Sequence, residues 1–287
     1  SIPSKETVIK ARKQGSDIQS PYAPAPIEEV VAAILREKPE VFFAPHVETS
    51  CGIILPTAYM RAVADAVHSV GGLFVLDCIA SGTIWVDMVE AGVDVIISAP
   101  QKGWSGSPCC ALIAMSELAR VRIDSTTSTS YACDLKKWLN IMETYEAGGH
   151  AYHTTMPTDA LRKVRDTMLE TKAYGFAKVK AEQQQLGDAV RAMFKSRGIK
   201  SVAAKGFEAP GVVVSYTEDA GMQSSKKFLA VGLQTAAGVP LMCDEGADFK
   251  TFRIGLFGLD KLHNIDRSVK SLSDALDQVL EPLAVAA

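Results

Sequence analysis

The sequence lacks the features that mark several specialised classes of protein. Its formal net charge is only −3, which gives no reason to expect nucleic acid or an anionic membrane as a partner. No apolar run approaches the roughly 20 residues that a membrane-spanning helix needs. The opening residues show no basic-then-apolar leader. We therefore predict a globular, cytoplasmic protein.

Cysteine patterns that would indicate a metal or redox site are also missing. Six cysteines occur, and none stands in the CxxC spacing of a zinc site or redox pair. Cys109 and Cys110 are adjacent within an apolar run. We expect no metal site, and we expect the cysteines to be reduced, buried thiols.

The sequence does contain a regular alternation of short apolar strands with amphipathic helices. Strands are predicted over 41–44, 73–76, 93–98 and 111–115, and helices over 28–38, 59–70, 85–91 and 135–146. Strands joined by helical crossovers indicate an α/β fold with a mostly parallel sheet covered by helices. In such sheets, ligand-binding residues gather at the carboxyl ends of the strands.

A second, smaller unit is predicted in the last third of the chain. A long helix over about 159–197 leads out of the first unit. Beyond it, strands near 212–216 and 251–255 and helices near 224–230 and 265–280 indicate a smaller α/β domain. We predict two domains, 1–160 and 161–287.

Polar residues follow the predicted strands where a ligand site is expected. Asp77 ends one strand, and Lys102 lies just beyond the next, 25 positions later. Pyridoxal 5′-phosphate (PLP) needs such a pair, because a carboxylate stabilises its protonated pyridine nitrogen and a lysine amine binds its aldehyde carbon. Lys102 stands between an apolar strand and the turn 103–106, unlike a solvated surface lysine. The two residues together favour a PLP site over a turn former and a surface charge.

Five stretches extend this pattern along most of the chain. They are HVETSCG, LFVLDCIASG, ISAPQKGWSGSP, HAYHTTMP and FRIGLFG. In this order and at similar spacing, they resemble the class V aminotransferases of the fold-type I PLP enzymes. The most similar patterns are those of the alanine–glyoxylate and serine–pyruvate or serine–glyoxylate aminotransferases. The resemblance implies the PLP-dependent transferase fold, with a large domain, a smaller C-terminal α/β domain and a homodimeric assembly.

The resemblance also implies roles around the cofactor. Lys102 would be the Schiff-base lysine, and Asp77 the partner of the pyridine nitrogen. Ile79 would pack on one face of the ring. Thr49 would contact the cofactor near O3′ or the phosphate, and Gln101 would be a ligand on the phosphate side.

Further roles concern the partner subunit and the substrate. Tyr152 and Thr155 would cross the dimer interface to the partner's phosphate. Arg253 would bind the α-carboxylate of the substrate, which also suits the bidentate fit of a guanidinium to a carboxylate. His46 is expected to orient its loop rather than to act as a base.

The sequence departs from the family at its start. Family members usually have an additional N-terminal portion, with a glycine- and serine-rich turn at a helix N-terminus that cradles the phosphate. Neither that turn nor the aromatic residue that stacks on the ring is found here. We therefore expect that an N-terminal part is missing from this sequence.

The predicted function is transfer of an amino group from alanine or serine to a small keto acid such as glyoxylate or pyruvate. Two alternatives remain open: a PLP-dependent lyase or desulfurase of the same fold, and a truncated, non-catalytic scaffold. A desulfurase usually has a histidine immediately before the lysine, whereas Gln101 stands there. The scaffold is supported by the missing phosphate turn.

Overall fold

The fold was analysed in a computed structural model that describes residues 5–281. Residues 1–4, on which the prediction about a leader depends, and residues 282–287, which end the predicted second domain, lie outside the described residues. The elements up to the first crossover are β1 (Arg12–Lys13), β2 (Tyr22–Ala23), α1 (Ile27–Glu37), β3 (Val41–Pro45), β4 (Val47–Glu48), β5 (Ile53–Ile54), α2 (Thr57–Ser69) and β6 (Leu73–Asp77). They are followed by α3 (Met88–Ala91), β7 (Val95–Ser98), β8 (Leu112–Met115), α4 (Glu117–Asp124) and α5 (Leu135–Glu146).

The main sheet has the strand order β3-β6-β7-β8. The first three strands are parallel, and their register sets Pro45, Asp77 and Ile97 side by side. β8 runs antiparallel to β7. The link between β7 and β8 contains no helix, and a chain that returns without a crossover helix pairs antiparallel. The prediction of an α/β fold with a mostly parallel sheet is confirmed.

Helices α1 and α2 cover one face of this sheet. Phe74 and Leu76 on β6 are fully buried there, with Val63 and Val67 of α2 in the same core cluster. Side chains of this size contribute about 1.5–3 kcal/mol each when they are fully buried. This packing fixes the direction of β6 and therefore the position of Asp77 at its end.

The prediction of one long helix over 159–197 is wrong, because the structure has two helices there. They are α6 (Thr158–Tyr174) and α7 (Phe176–Ser196), separated by Gly175 at φ 111° and ψ 117°. Glycine adopts such backbone angles readily, whereas other residues rarely do. The chain therefore turns at Gly175 before it enters the second unit.

The second unit is built on the antiparallel sheet β10-β11-β9. Its elements are β9 (Val212–Tyr216), α8 (Ala220–Gln223), α9 (Lys226–Ala230), β10 (Ala236–Ala237), β11 (Thr251–Gly255), α10 (Leu259–Leu262) and α11 (Ile265–Leu280). Phe252 of β11 is fully buried in a core cluster that includes Leu186 of α7 and Leu276 of α11. The strands predicted at 212–216 and 251–255 and the helix at 265–280 are confirmed.

Two helices of the first unit begin where polar side chains cap them. The predicted helix 85–91 begins only at Met88, because the Asp87 carboxylate accepts hydrogen bonds from the N–H groups of Val89 and Glu90. Helix α4 was not predicted, and the Ser116 hydroxyl caps it by accepting from the Ala119 N–H.

The cysteines are free thiols, but the prediction that they are buried is wrong for four of them. Cys51 and Cys78 are buried, Cys133 is exposed, and Cys109, Cys110 and Cys243 are half-buried. Cys109 and Cys110 lie in the connection before β8 rather than in a strand. Within residues 5–281, no helix has the length and apolar character needed to cross a membrane.

Candidate active site

Asp77 lies at the carboxyl end of β6, between β3 and β7. Its side chain is half-buried, and Oδ1 accepts a hydrogen bond of 2.9 Å from the N–H of Ile79. The carboxylate is thus oriented by the loop that follows its own strand. Ile79 in this loop is also half-buried.

Lys102 lies in the turn that follows β7, and this turn packs directly on the loop after Asp77. A Cβ atom added at Gly103 would lie 2.1 Å from the carbonyl oxygen of Gly82, so only glycine permits this approach of the two backbones. On its other side the turn meets α6, because a Cβ at Gly106 would lie 2.9 Å from a methyl group of Val164. The turn is therefore held between two elements.

An aromatic cluster fixes the same turn to the start of α7. The ring centroids of Trp85 and Trp104 are 4.9 Å apart, and the ring of Phe176 lies 5.4 Å from that of Trp85. The Trp85 indole N–H also donates a hydrogen bond to the Phe176 carbonyl oxygen. Both tryptophans therefore pack the turn against the start of α7.

Phe257 connects Lys102 with the strand that carries Arg253, and it was not predicted from the sequence. The Lys102 Nζ lies 5.8 Å from the centroid of the Phe257 ring, within the range of a cation–π contact. The same ring lies against Gly82, since a Cβ added there would be 3.4 Å from two of its carbons. Its signal was its place in FRIGLFG, four residues after Arg253.

Arg253 on β11 reaches from the small sheet to the loop that carries Thr49. Its Nε donates to the Ala237 carbonyl oxygen at 2.7 Å, and its Nη1 lies 3.5 Å from the Thr49 carbonyl oxygen. Among the described residues, Nη2 has no hydrogen-bond partner. Burial lowers the pKa of Arg253, and the nearby Glu48 carboxylate opposes this effect. The guanidinium therefore has one edge available to a carboxylate ligand.

His46 stands at the start of the Thr49 loop and is buried. Its backbone N–H donates to the Asp77 carbonyl oxygen, and its Nδ1 lies 2.7 Å from the Ser81 hydroxyl oxygen. Burial, with a smaller effect of the Lys180 charge, lowers the pKa of His46 to about 4. The ring is thus neutral at pH 7 and ties the loop after β3 to the loop after β6.

Among residues 5–281, the remaining predicted residues form no hydrogen bond with the Lys102 side chain. Gln101 is exposed although it adjoins Lys102, and Tyr152 is 70% exposed. The Tyr152 and Thr155 hydroxyl oxygens lie 3.2 Å from each other. Within residues 5–281, neither hydroxyl forms a hydrogen bond to Lys102, Asp77 or Arg253.

The residues at this edge match the functional groups of PLP. The oriented Asp77 carboxylate suits a protonated pyridine nitrogen, and the Lys102 amine suits an aldehyde. The Thr49 loop, which Arg253 contacts, adds a hydroxyl residue, and the open edge of Arg253 adds a cation. The residues present therefore fit the ring nitrogen and the aldehyde of this cofactor and an amino-acid carboxylate.

Comparison with known proteins gives a consistent result. No protein-family model matches the chain. The alanine–glyoxylate aminotransferase of Oryctolagus cuniculus is 24% identical over 267 residues, which cover 90% of this chain and 66% of that protein. The L-aspartate–glyoxylate aminotransferase of Paracoccus denitrificans is 24% identical over 246 residues, covering 80% of this chain and 57% of that protein.

A solved structure shares the fold. The alanine–glyoxylate aminotransferase from Nostoc sp. matches with a TM-score of 0.75 at 22% identity, covering 89% of this chain and 66% of that one. The resemblance to class V aminotransferases and the PLP-dependent transferase fold are thereby confirmed. The chain spans less than two thirds of the length of either curated relative.

The contact between the two backbones can be tested with Gly103→Ala. The added methyl group must displace the Gly82 carbonyl, so we expect the free energy of unfolding to fall by about 1–3 kcal/mol. Gly246→Ala is the matched control, because a Cβ at Gly246 meets no atom within 4 Å. Urea denaturation should show the loss in the first variant only. Equal stability of the two variants would contradict the packing described.

The buried, neutral state of His46 predicts a pH dependence of stability. Its pKa is about 4 in the folded protein and 6.5 ordinarily, so the unfolded chain takes up the proton first as the pH falls. The stabilisation is present above pH 6.5 and is lost as the pH falls towards 4. Lowering the pH from 7 to 5 should therefore reduce the free energy of unfolding by about 2 kcal/mol through His46 alone.

Urea denaturation of the wild type and of His46→Asn at pH 7 and pH 5 measures this effect. The variant should lose less of its unfolding free energy over that range, by about the same 2 kcal/mol. Parallel losses in the two proteins would show that His46 is not the group responsible.

Proposed function

We propose that this chain is a PLP-dependent aminotransferase that moves an amino group from a small amino acid to a small keto acid. One observation carries the proposal. The ring of Phe257 meets both the Lys102 amine and Gly82 in the loop after Asp77, and Phe257 follows Arg253 by four residues. The turn that carries Lys102, the loop that follows Asp77 and the chain segment just after Arg253 are thus packed against one another between the two sheets.

Each residue of this junction has a role that its chemistry supports. When bound, PLP supplies an electron sink for the substrate's Cα. Asp77 would face the pyridine nitrogen, and Lys102 would hold the cofactor covalently through its amine, as a Schiff base. Ile79 would pack on the ring, while Thr49 and Gln101 would contact the O3′ and phosphate side.

Proton movement is assigned to Lys102. Its amine, once free, would carry the proton between the substrate Cα and the C4′ carbon of the cofactor. His46 is poorly suited to this task, because it is buried, neutral and hydrogen-bonded to Ser81. Its role is to orient the Thr49 loop.

Arg253 would bind the α-carboxylate through its open edge. A fixed guanidinium holds both carboxylate oxygens, which orients the Cα–H bond for proton removal. Alanine or serine is proposed as the donor and glyoxylate or pyruvate as the acceptor. The names of both curated relatives include glyoxylate.

The assembly is proposed to be a homodimer in the cytoplasm. The exposure of Tyr152, and its contact with Thr155, are consistent with residues that complete a partner's phosphate site. The domain division at residue 160 belongs to the same proposal, and it falls within α6.

The alternatives have less support. A lyase or desulfurase of the same fold would usually carry a histidine before the lysine, and Gln101 stands there instead. The hypothesis of a non-catalytic scaffold does not explain why Lys102, Asp77 and Arg253 occur together in these motifs.

Arg253→Lys tests the proposal in the PLP-loaded protein. Incubation with alanine and glyoxylate should release pyruvate and glycine from the wild type. Loss of the bidentate contact should raise the KM for alanine about 10- to 100-fold, because a hydrogen bond to a charged group contributes about 1.5–3 kcal/mol. The matched control is Arg267→Lys on an exposed surface, which should leave KM unchanged. A wild type that forms no keto acid from any small amino acid, or an unchanged KM in Arg253→Lys, would refute the proposal.

A further inference from the structure

Cys109 and Cys110 form a pair of thiols in direct contact. Their Sγ atoms lie 3.8 Å apart, and both residues are half-buried and free. Neither residue has a role in the proposed transamination. The proposed transamination therefore does not account for the contact between these two thiols.

This contact is not the default for neighbouring residues. In an extended strand, successive side chains point to opposite faces, which keeps neighbouring sulfurs apart. The pair lies between the Lys102 turn and β8, which begins only at Leu112. Outside the strand, the backbone turns both sulfurs to the same side.

The spacing of the two sulfurs suits a single bridging atom. Two bonds of about 2.3 Å at a tetrahedral angle, as zinc forms with thiolates, would set the sulfurs about 3.8 Å apart. Zinc, however, requires four ligands. Within residues 5–281, no cluster of three or more His, Cys, Asp or Glu side chains is arranged to hold a metal ion. The pair better suits an atom that needs only two protein ligands.

We propose that Cys109 and Cys110 form a dithiol site for a thiophilic ligand of the monosubstituted trivalent arsenical class, R–As(OH)2. Two As–O bonds break and two As–S bonds form. Each thiol proton leaves in one of two water molecules, and arsenic remains trivalent, so no oxidant or reductant is required. The organic group fills the third valence of arsenic.

The Cys110 thiol keeps its proton at neutral pH, and that proton must leave in water when arsenic binds. Burial, followed by the contact with Cys109, raises the pKa of Cys110 to about 11, which keeps Cys110 as a neutral thiol at pH 7. After the first As–S bond forms, the second is intramolecular, and such linkage strengthens binding by about 10²–10⁴-fold. Cys51 and Cys78 are poor competitors for the arsenical, because both are buried. Burial also raises the pKa of each thiol to about 12.

Titration of the full chain with phenylarsine oxide, followed by intact-mass spectrometry, tests the site. We expect one arsenical per chain, with the loss of two waters from its hydrated form. Cys109→Ser and Cys110→Ser should each weaken binding by about 100-fold or more, because each leaves only a single thiol. Either variant is sufficient to test the site. If one of them does not fold, the other still gives the answer.

Cys133→Ser is the matched control, because Cys133 is an exposed single thiol. It should bind like the wild type. A small dithiol should remove the arsenical, whereas the same concentration of a monothiol should not. Full binding in both single variants of the pair, loss in Cys133→Ser, or equal release by the monothiol would overturn the proposal. The outcome is independent of PLP, so it is distinguishable from failure of the proposed transamination.

Discussion

The close approach of two backbones at Gly103 and Gly82 is the constraint on which the candidate site depends. Any side chain at Gly103 would collide with the Gly82 carbonyl, at 2.1 Å. This contact sets the turn that bears Lys102 against the loop that follows Asp77. Phe257 then lies against Gly82 and beneath the Lys102 amine. The geometry of the amine and the carboxylate thus rests on backbone packing, and the side chains of Lys102 and Asp77 remain available for chemistry.

The second sheet completes the site from the opposite side. Arg253 reaches across to the Thr49 loop, and the start of α7 packs through Phe176 on Trp85 and Trp104. The break at Gly175 lets α7 begin at this aromatic cluster instead of continuing the line of α6. Segments that carry the candidate residues of both units therefore pack together at one junction.

The sequence predicted the parts of this arrangement that depend on local pattern. Apolar runs placed β6 and β7, and the polar residues that follow them identified Asp77 and Lys102. The two helices on either side of Gly175 were predicted as one, because a single glycine is also tolerated inside an amphipathic helix. Phe257 was missed, because its role comes from contacts with residues more than 150 positions earlier in the chain. The partial exposure of Cys109 and Cys110 was also missed, because an apolar run does not show how far its side chains are covered by the rest of the fold.

The claim that Lys102 is the cofactor lysine has one direct measurement. The protein is incubated with PLP, reduced with borohydride and digested, and the labelled peptide is identified by mass spectrometry, with Lys205→Ala as an exposed-lysine control. The account predicts one label per chain, on Lys102, which Lys102→Ala abolishes and Lys205→Ala retains. A label on another lysine, or equal labelling of Lys102→Ala, would contradict it.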